Sequence, residues 1–118
     1  MFHSNRIWCV ADVETPEELA EKLTEQTWTL CAGFRLGNCV FLNDSLSEDG
    51  AQEYAVLVNE DGVLYQVESI TFGWCSRESA LKHIRAALAG EFGSVMKQKV
   101  DSRVLQSPEE HGRCELCA

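Results

Sequence analysis

Apolar residues occupy every second position between Trp28 and Leu36, and polar or small residues fill the positions between them. Side chains on a β-strand point alternately to opposite faces, so this period of two predicts a strand with one buried face. The pair Gly37-Asn38 is typical of two-residue hairpin turns, and the apolar residues from Cys39 to Leu42 follow it. The pattern therefore predicts a β-hairpin.

Three further segments have the composition of strands. Residues 7–13 are rich in β-branched and aromatic side chains. Residues 53–58 and 63–72 flank residues 59–62, whose Asn, Asp and Gly favour a turn, so they predict a second hairpin. In residues 63–72 the apolar positions change face, which predicts a bulge near Glu68-Ser69.

Two segments combine helical periodicity with start signals. Thr15 precedes a proline and has Glu18 three residues later, a capping box that predicts a helix over residues 16–26. Ser76 is the predicted N-cap of a second helix, whose apolar positions recur at helical spacing until Gly90 marks its end.

The length of 118 residues fits one domain of ordinary size. The element order β-α-β-β-β-β-α with hairpin links predicts an α+β domain of two layers over residues 1–106. We expect a mostly antiparallel sheet of about five strands with the helices on one face. The polar residues 107–118 predict a mobile C-terminal tail. One core between sheet and helices is predicted from the apolar faces: Leu19, Leu23, Trp28, Leu30, Phe34, Leu81, Ile84 and Leu88.

The formal charge of −9 arises from 19 acidic against 10 basic residues. A net negative charge disfavours direct binding to nucleic acid, since phosphates would be repelled. The sequence contains no apolar run of the roughly 18 residues needed to cross a membrane. The first residues have no signal-peptide pattern, so we expect a cytoplasmic protein.

Acidic side chains are concentrated in two predicted turns. Residues 43–52 form a polar loop with Glu48 and Asp49, and the second hairpin turn carries Glu60 and Asp61. We expect these four residues to contact an unidentified protein partner or a second copy of the chain. The alternative is that the negative charge only keeps the protein soluble.

His111, Cys114 and Cys117 have the spacing of zinc ligands, although a fourth ligand would have to come from elsewhere. The alternatives for this segment are a redox dithiol or two exposed thiols in a tail.

Cys75 precedes the second helix, where the helix dipole would lower a thiol pKa. His83 is the candidate base, but it lies two turns along the same helix, and the alternative is that Cys75 is a packed structural cysteine.

The sequence contains none of the phosphate-loop, dinucleotide-binding or nucleophile-elbow motifs. We therefore expect a non-enzymatic protein-interaction or regulatory module that uses no cofactor. The alternative is a thiol-dependent enzyme, or a redox or zinc-binding protein, that uses Cys75 or the pair Cys114 and Cys117.

Overall fold

The computed structural model describes residues 7–24, 32–46, 52–72, 76–91 and 97–106. Two α-helices and seven strands are found there. In chain order these elements are β1 (Trp8–Asp12), α1 (Pro16–Thr24), β2 (Ala32–Leu36), β3 (Cys39–Leu46), β4 (Gln52–Glu60), β5 (Val63–Phe72), α2 (Arg77–Leu88), β6 (Gln98–Val100) and β7 (Leu105–Gln106). A short 3-10 turn, Ser102–Val104, separates the last two strands.

The strands form one curled sheet in the order β6-β5-β4-β3-β2-β1-β7. The pairs from β2 to β6 are antiparallel, whereas β1 is parallel to both of its neighbours. The prediction of an α+β fold is confirmed, but the sheet, which was predicted as mostly antiparallel with about five strands, is larger and mixed. α1 carries the chain back from β1 to β2, and such a crossover produces a parallel pair.

Both helices begin at the predicted caps. The Thr15 hydroxyl accepts a hydrogen bond from the Glu18 amide at 3.1 Å, and the Glu18 carboxylate accepts one from the Glu14 amide at 3.1 Å. The Ser76 hydroxyl accepts one from the Ser79 amide at 3.2 Å. Gly90 follows the second helix with a φ of 77°, a left-handed conformation that favours glycine.

The two helices pack against the same face of the sheet and against each other. An apolar cluster lies between this face of the sheet and the helices. Leu19, Leu23 and Ile84 are buried in it, as predicted. Phe34, Leu81 and Leu88 are partly buried against it. Arg85 on α2 also forms an ion pair with Glu17 on α1 at 3.0 Å. The other two predicted core residues, Trp28 and Leu30, lie outside the described residues.

A second apolar cluster fills the inside of the curl, on the face opposite the helices. We call it the inner cluster, and its buried members are Trp8, Val10, Val40, Leu42, Ala55, Leu57, Leu64, Val100 and Val104. The prediction of a single core is therefore wrong. β3 and β4 contain uninterrupted apolar runs, residues 39–42 and 54–58, and such runs are typical of strands buried on both faces.

β2 is also buried at one position of the face that was expected to be polar. Gly33 is buried there, and a Cβ on this residue would lie 2.6 Å from Cδ2 of Leu42 and 3.2 Å from Cγ2 of Val10. The prediction of one buried face fails at Gly33 because the curled sheet encloses this residue, whereas Arg35 on the same face is exposed. A glycine at this position lets neighbouring side chains approach the β2 backbone.

Residues 98–106, which we call the closing segment, connect the two edges of the sheet. β6 pairs with β5 and β7 pairs with β1, although only residues 101–104 separate these two strands. Val100 and Val104 are buried in the inner cluster. The closing segment thus brings the two edges near each other and covers the open side of the curl.

Two details of the strands complete the comparison with the sequence. The predicted loop over residues 43–52 is shorter, because β3 continues to Leu46 and β4 begins at Gln52. The predicted bulge is confirmed, one residue earlier than expected. Val56 pairs with Glu68 and Leu57 pairs with Gln66, so one residue of β5 between these pairs has no partner on β4.

Candidate functional site

A cleft of about 460 Å³ lies at the end of the curled sheet where the β2–β3 and β4–β5 turns meet the closing segment. We call it the turn-end cleft. Val40 and Leu64, which belong to the inner cluster, form the apolar floor of the cleft together with Leu105, which packs against that cluster. Four polar side chains contribute to its rim: Arg35, Asn38, Asn59 and Ser102.

The two hairpin turns lie side by side at this end of the sheet. The Asn59 amide donates a hydrogen bond to the Asn38 carbonyl oxygen at 2.8 Å, which extends the β3–β4 ladder into the turns. The Gly62 amide donates to Oδ1 of Asn59 at 2.9 Å. Asp61 and Gly62 have positive φ angles of 54° and 82°, a conformation that Gly, Asn and Asp adopt most readily. The turn residues that the sequence places here therefore set the shape of the cleft.

The closing segment forms the third side of the cleft. The Asp101 carboxylate accepts hydrogen bonds from the Arg103 amide at 2.9 Å and from its guanidinium at 2.6 Å. Chiefly through these bonds, the pKa of Asp101 is lowered to about 2 and that of Arg103 is raised. Ser102, between them, is thereby held at the rim.

The polar side chains of the cleft include both donors and acceptors of hydrogen bonds. Arg35 is the one ionisable side chain among the described residues that line the cleft, and guanidinium can only donate. Oδ1 of Asn59 already accepts from the Gly62 amide, and Oδ1 of Asn38 accepts from the Cys39 thiol at 3.6 Å. Each amide oxygen keeps a second lone pair and the Ser102 hydroxyl can donate or accept, so these side chains do not select one type of ligand group.

Arg35 forms only a loose ion pair within the protein. Its Nη1 lies 3.6 Å from Oδ1 of Asp12, and the two side chains are 47% and 78% exposed. Charge-assisted hydrogen bonds between arginine and carboxylate are usually about 2.7–2.9 Å long. The pair between Arg35 and Asp12 is longer than this range.

Two of the predicted partner contacts border the cleft. Glu60 and Asp61 are exposed in the β4–β5 turn, next to the lining residue Gly62. Lys97 lies 2.7 Å from the Glu60 carboxylate and 5.7 Å from the centre of the Tyr65 ring. The charge of Glu60 is thus largely balanced, whereas Asp61 remains an exposed anion at the rim.

The remaining predicted site residues are not brought together by the described structure. His83 is exposed on α2. Six others lie outside the described residues: Glu48, Asp49, Cys75, His111, Cys114 and Cys117. The zinc site, the thiol chemistry and the mobility of residues 107–118 stay predictions. Within the described ranges, no group of three or more His, Cys, Asp or Glu side chains is placed to hold a metal ion.

Cys39 is fully buried between the sheet and α2. Its thiol lies 3.6 Å from the Ala87 carbonyl oxygen, and burial raises its pKa. A raised pKa disfavours the thiolate, which is the reactive form of cysteine. The environment of Cys39 is therefore that of a packing residue.

The turn-end cleft is not evident from the sequence. The sequence does contain one indication of it, because each of the two hairpin turns has an asparagine with a glycine no more than three residues away. In a run of antiparallel strands, alternate turns lie at the same end of the sheet. That rule places Asn38 and Asn59 together, but it does not show that the closing segment adds the third wall.

No protein-family model matches this chain, and no curated protein or solved structure is significantly similar to it. In the part of the chain that the structure describes, no helix is long and apolar enough to cross a membrane.

Proposed function

We propose that this domain is a non-enzymatic binding module and that the turn-end cleft receives a short segment of a protein partner. The observation that carries the proposal is the lining of the cleft, where three apolar residues lie together with four polar ones. Its volume of about 460 Å³ lies within the usual range for ligand sites.

A protein segment suits this cleft better than a small molecule. Small-molecule sites usually enclose most of the ligand surface, whereas the turn-end cleft is open and bordered by exposed turns. A peptide can place one residue on the apolar floor and extend across the rim. Asp61 lies at this rim, so the predicted acidic contacts of the β4–β5 turn would form the edge of the same interface.

A fragment screen tests the proposal without knowledge of the partner. Amide chemical shifts of the full chain would be measured while neutral and charged fragments of a few hundred daltons are added. We expect the fragments that bind to shift the amides of Gly37, Asn38, Asn59 and Gly62. Shifts that cluster at another surface, or an absence of binding, would contradict the proposal.

A matched pair of variants on the closing segment sharpens the screen. Ser102 and Gln98 are both exposed, but only Ser102 lines the cleft. Ser102→Trp should obstruct the cleft and abolish the shifts, while Gln98→Trp should leave them unchanged. Unchanged binding to Ser102→Trp would place the fragments outside the cleft.

A further inference from the structure

We infer that the closing segment opens as a unit while the rest of the sheet and both helices stay folded, so that it acts as a strap over the inner cluster. This opening does not depend on the proposed function, because it concerns only how the segment is held. Three features carry the inference: the short pairing at each sheet edge, the placement of the buried side chains, and the clefts that border the segment.

The closing segment is attached to the sheet by two short strands. β6 pairs only with residues 64–66 of β5, and β7 pairs only with Trp8 and Cys9 of β1. On their other sides β5 and β1 have longer pairings, with residues 52–60 of β4 and along residues 9–12 with β2. The sheet from β1 to β5 therefore keeps its own pairing when the closing segment leaves.

The buried side chains of the closing segment belong to the inner cluster alone. Val100 and Val104 are almost fully buried, and Leu105 is half-buried against this cluster. All residues of the segment are described, and none belongs to the apolar cluster between the sheet and the helices. Opening therefore leaves that cluster intact. A segment that buries so little apolar surface opens more readily than the central strands.

The hydrogen bonds of Asp101 hold the closing segment together rather than to the sheet. Its carboxylate accepts from the amide and the guanidinium of Arg103, and its carbonyl oxygen accepts from the Val104 amide at 3.1 Å. These bonds lie within the segment, so they can persist when it leaves the sheet. Lys97, just before the segment, pairs with Glu60, but both side chains are about half exposed and such pairs contribute little stability. The segment can therefore move as one piece.

Two clefts border the closing segment near the β4–β5 turn. Ser102 and Leu105 line the turn-end cleft, and a second cleft of about 490 Å³ is lined by residues 99–102 together with residues 62–64. Open space beside a side chain provides no attractive contacts on that side. Residues 99–102 are therefore held less firmly against the turn than close packing would hold them.

Opening changes the surface that the rest of the molecule presents. Trp8, which is fully buried, pairs with Leu105, and Leu64, which is almost fully buried, pairs with Val100. Both lose a covering strand when the segment leaves, so apolar surface of the inner cluster is uncovered. Ser102 and Leu105 leave the turn-end cleft in the same movement. The closed state thus contains the cleft, and the open state has an accessible inner cluster.

Native-state hydrogen exchange tests this opening on the full chain, with NMR spectra recorded at urea concentrations below the unfolding midpoint. We expect the amides of β6 and β7 to be protected at least about tenfold less than the most protected amides of β3 and β4. They should share one urea slope that is smaller than the slope of global unfolding, because opening exposes less surface. A slope near zero would indicate fraying of single residues, and the full slope would indicate that the segment leaves only on global unfolding. Either result would overturn the inference.

Two substitutions separate opening from global unfolding. Ile84→Val weakens helix packing that persists in the open state. It should speed exchange of the most protected β3 and β4 amides about fivefold and leave the amides of the closing segment unchanged. Val104→Ala weakens only the closed state, so it should speed exchange of both sets by the same factor, about tenfold. Equal acceleration of both sets by Ile84→Val, or unchanged exchange of the closing segment in Val104→Ala, would overturn the inference.

Discussion

Gly33→Ala probes how tightly the inside of the curled sheet is packed. The new Cβ would lie 2.6 Å from Cδ2 of Leu42, whereas carbon atoms in contact are normally about 3.5–4.0 Å apart. Leu42 is fully buried, so its side chain can retreat only by displacing neighbours. Overpacking of this kind costs about 1–3 kcal/mol.

A smaller effect in the unfolded state opposes the clash. Alanine restricts the unfolded chain more than glycine and stabilises the protein by about 0.4–1 kcal/mol where the native backbone tolerates it. The clash exceeds this gain, so we expect a net loss of about 0.5–2 kcal/mol in the free energy of unfolding. Urea denaturation followed by tryptophan fluorescence measures this loss, provided that the slope of the transition stays constant.

A double-mutant cycle identifies the clash as the cause. Leu42→Ala alone should cost about 2–5 kcal/mol, because it leaves a cavity. In that background Gly33→Ala should cost less than it does alone, since the nearest atom is gone and only the contact with Cγ2 of Val10 at 3.2 Å remains. An equal cost in both backgrounds, within about 0.5 kcal/mol, would refute the reasoning. Gly62→Ala is the control, because a Cβ there meets no atom within 4 Å and its cost, due to the positive φ, should not depend on Leu42.

Three further outcomes follow from residues of the helices, the closing segment and the sheet. Ile84→Ala should lower the free energy of unfolding by about 2–5 kcal/mol. Lys82→Ala, on the exposed side of the same helix, should change it by about 0.5 kcal/mol or less. Equal effects of the two substitutions would contradict the burial of the inner face of α2. The pKa of Asp101 in the folded protein is about 2, below its ordinary value of 3.8. Its ion pair therefore stabilises the protein fully at pH values above 3.8. This stabilisation is lost as the pH falls towards 2. Asp101→Asn should therefore reduce the drop in the urea midpoint over this acidic range, and an identical drop in both proteins would count against the ion pair. Iodoacetamide at neutral pH should modify Cys9 before Cys39, because Cys9 is only half-buried whereas Cys39 is buried and has a raised pKa. Peptide mass spectrometry measures the order of modification. The reverse order would show that Cys39 is reactive.

The elements with local signals were predicted well. The capping residues Thr15 and Ser76 make the hydrogen bonds that their positions imply. The hairpin turns also form where glycine allows a positive φ, at Gly37 and Gly62. Each of these features depends on residues within four positions of one another, which is the range over which a sequence pattern is informative.

The elements that depend on distant partners were not predicted. β6 and β7 have three and two residues, too few for a period of two to be visible. Their pairing with β5 and β1 is a property of the whole sheet. The burial of Gly33 was not predicted for a related reason, because Gly33 and Arg35 alternate with apolar residues as exposed residues would, and Arg35 is exposed. The curl of the sheet turns these two residues into an inner wall and the rim of a cleft.

The pairing of β1 with β7 has a consequence for how the chain folds during synthesis. Trp8 pairs with Leu105, so one neighbour of the earliest strand is the last strand of the described sequence. At about 5–20 residues per second, the ribosome takes roughly 5–20 seconds to produce the intervening residues. During that time the outer edge of β1 and the buried side of Trp8 lack the strand that later covers them. The newly made chain must therefore pass through a stage in which this edge is open to other strands, and a chaperone that binds apolar extended segments would have its target there.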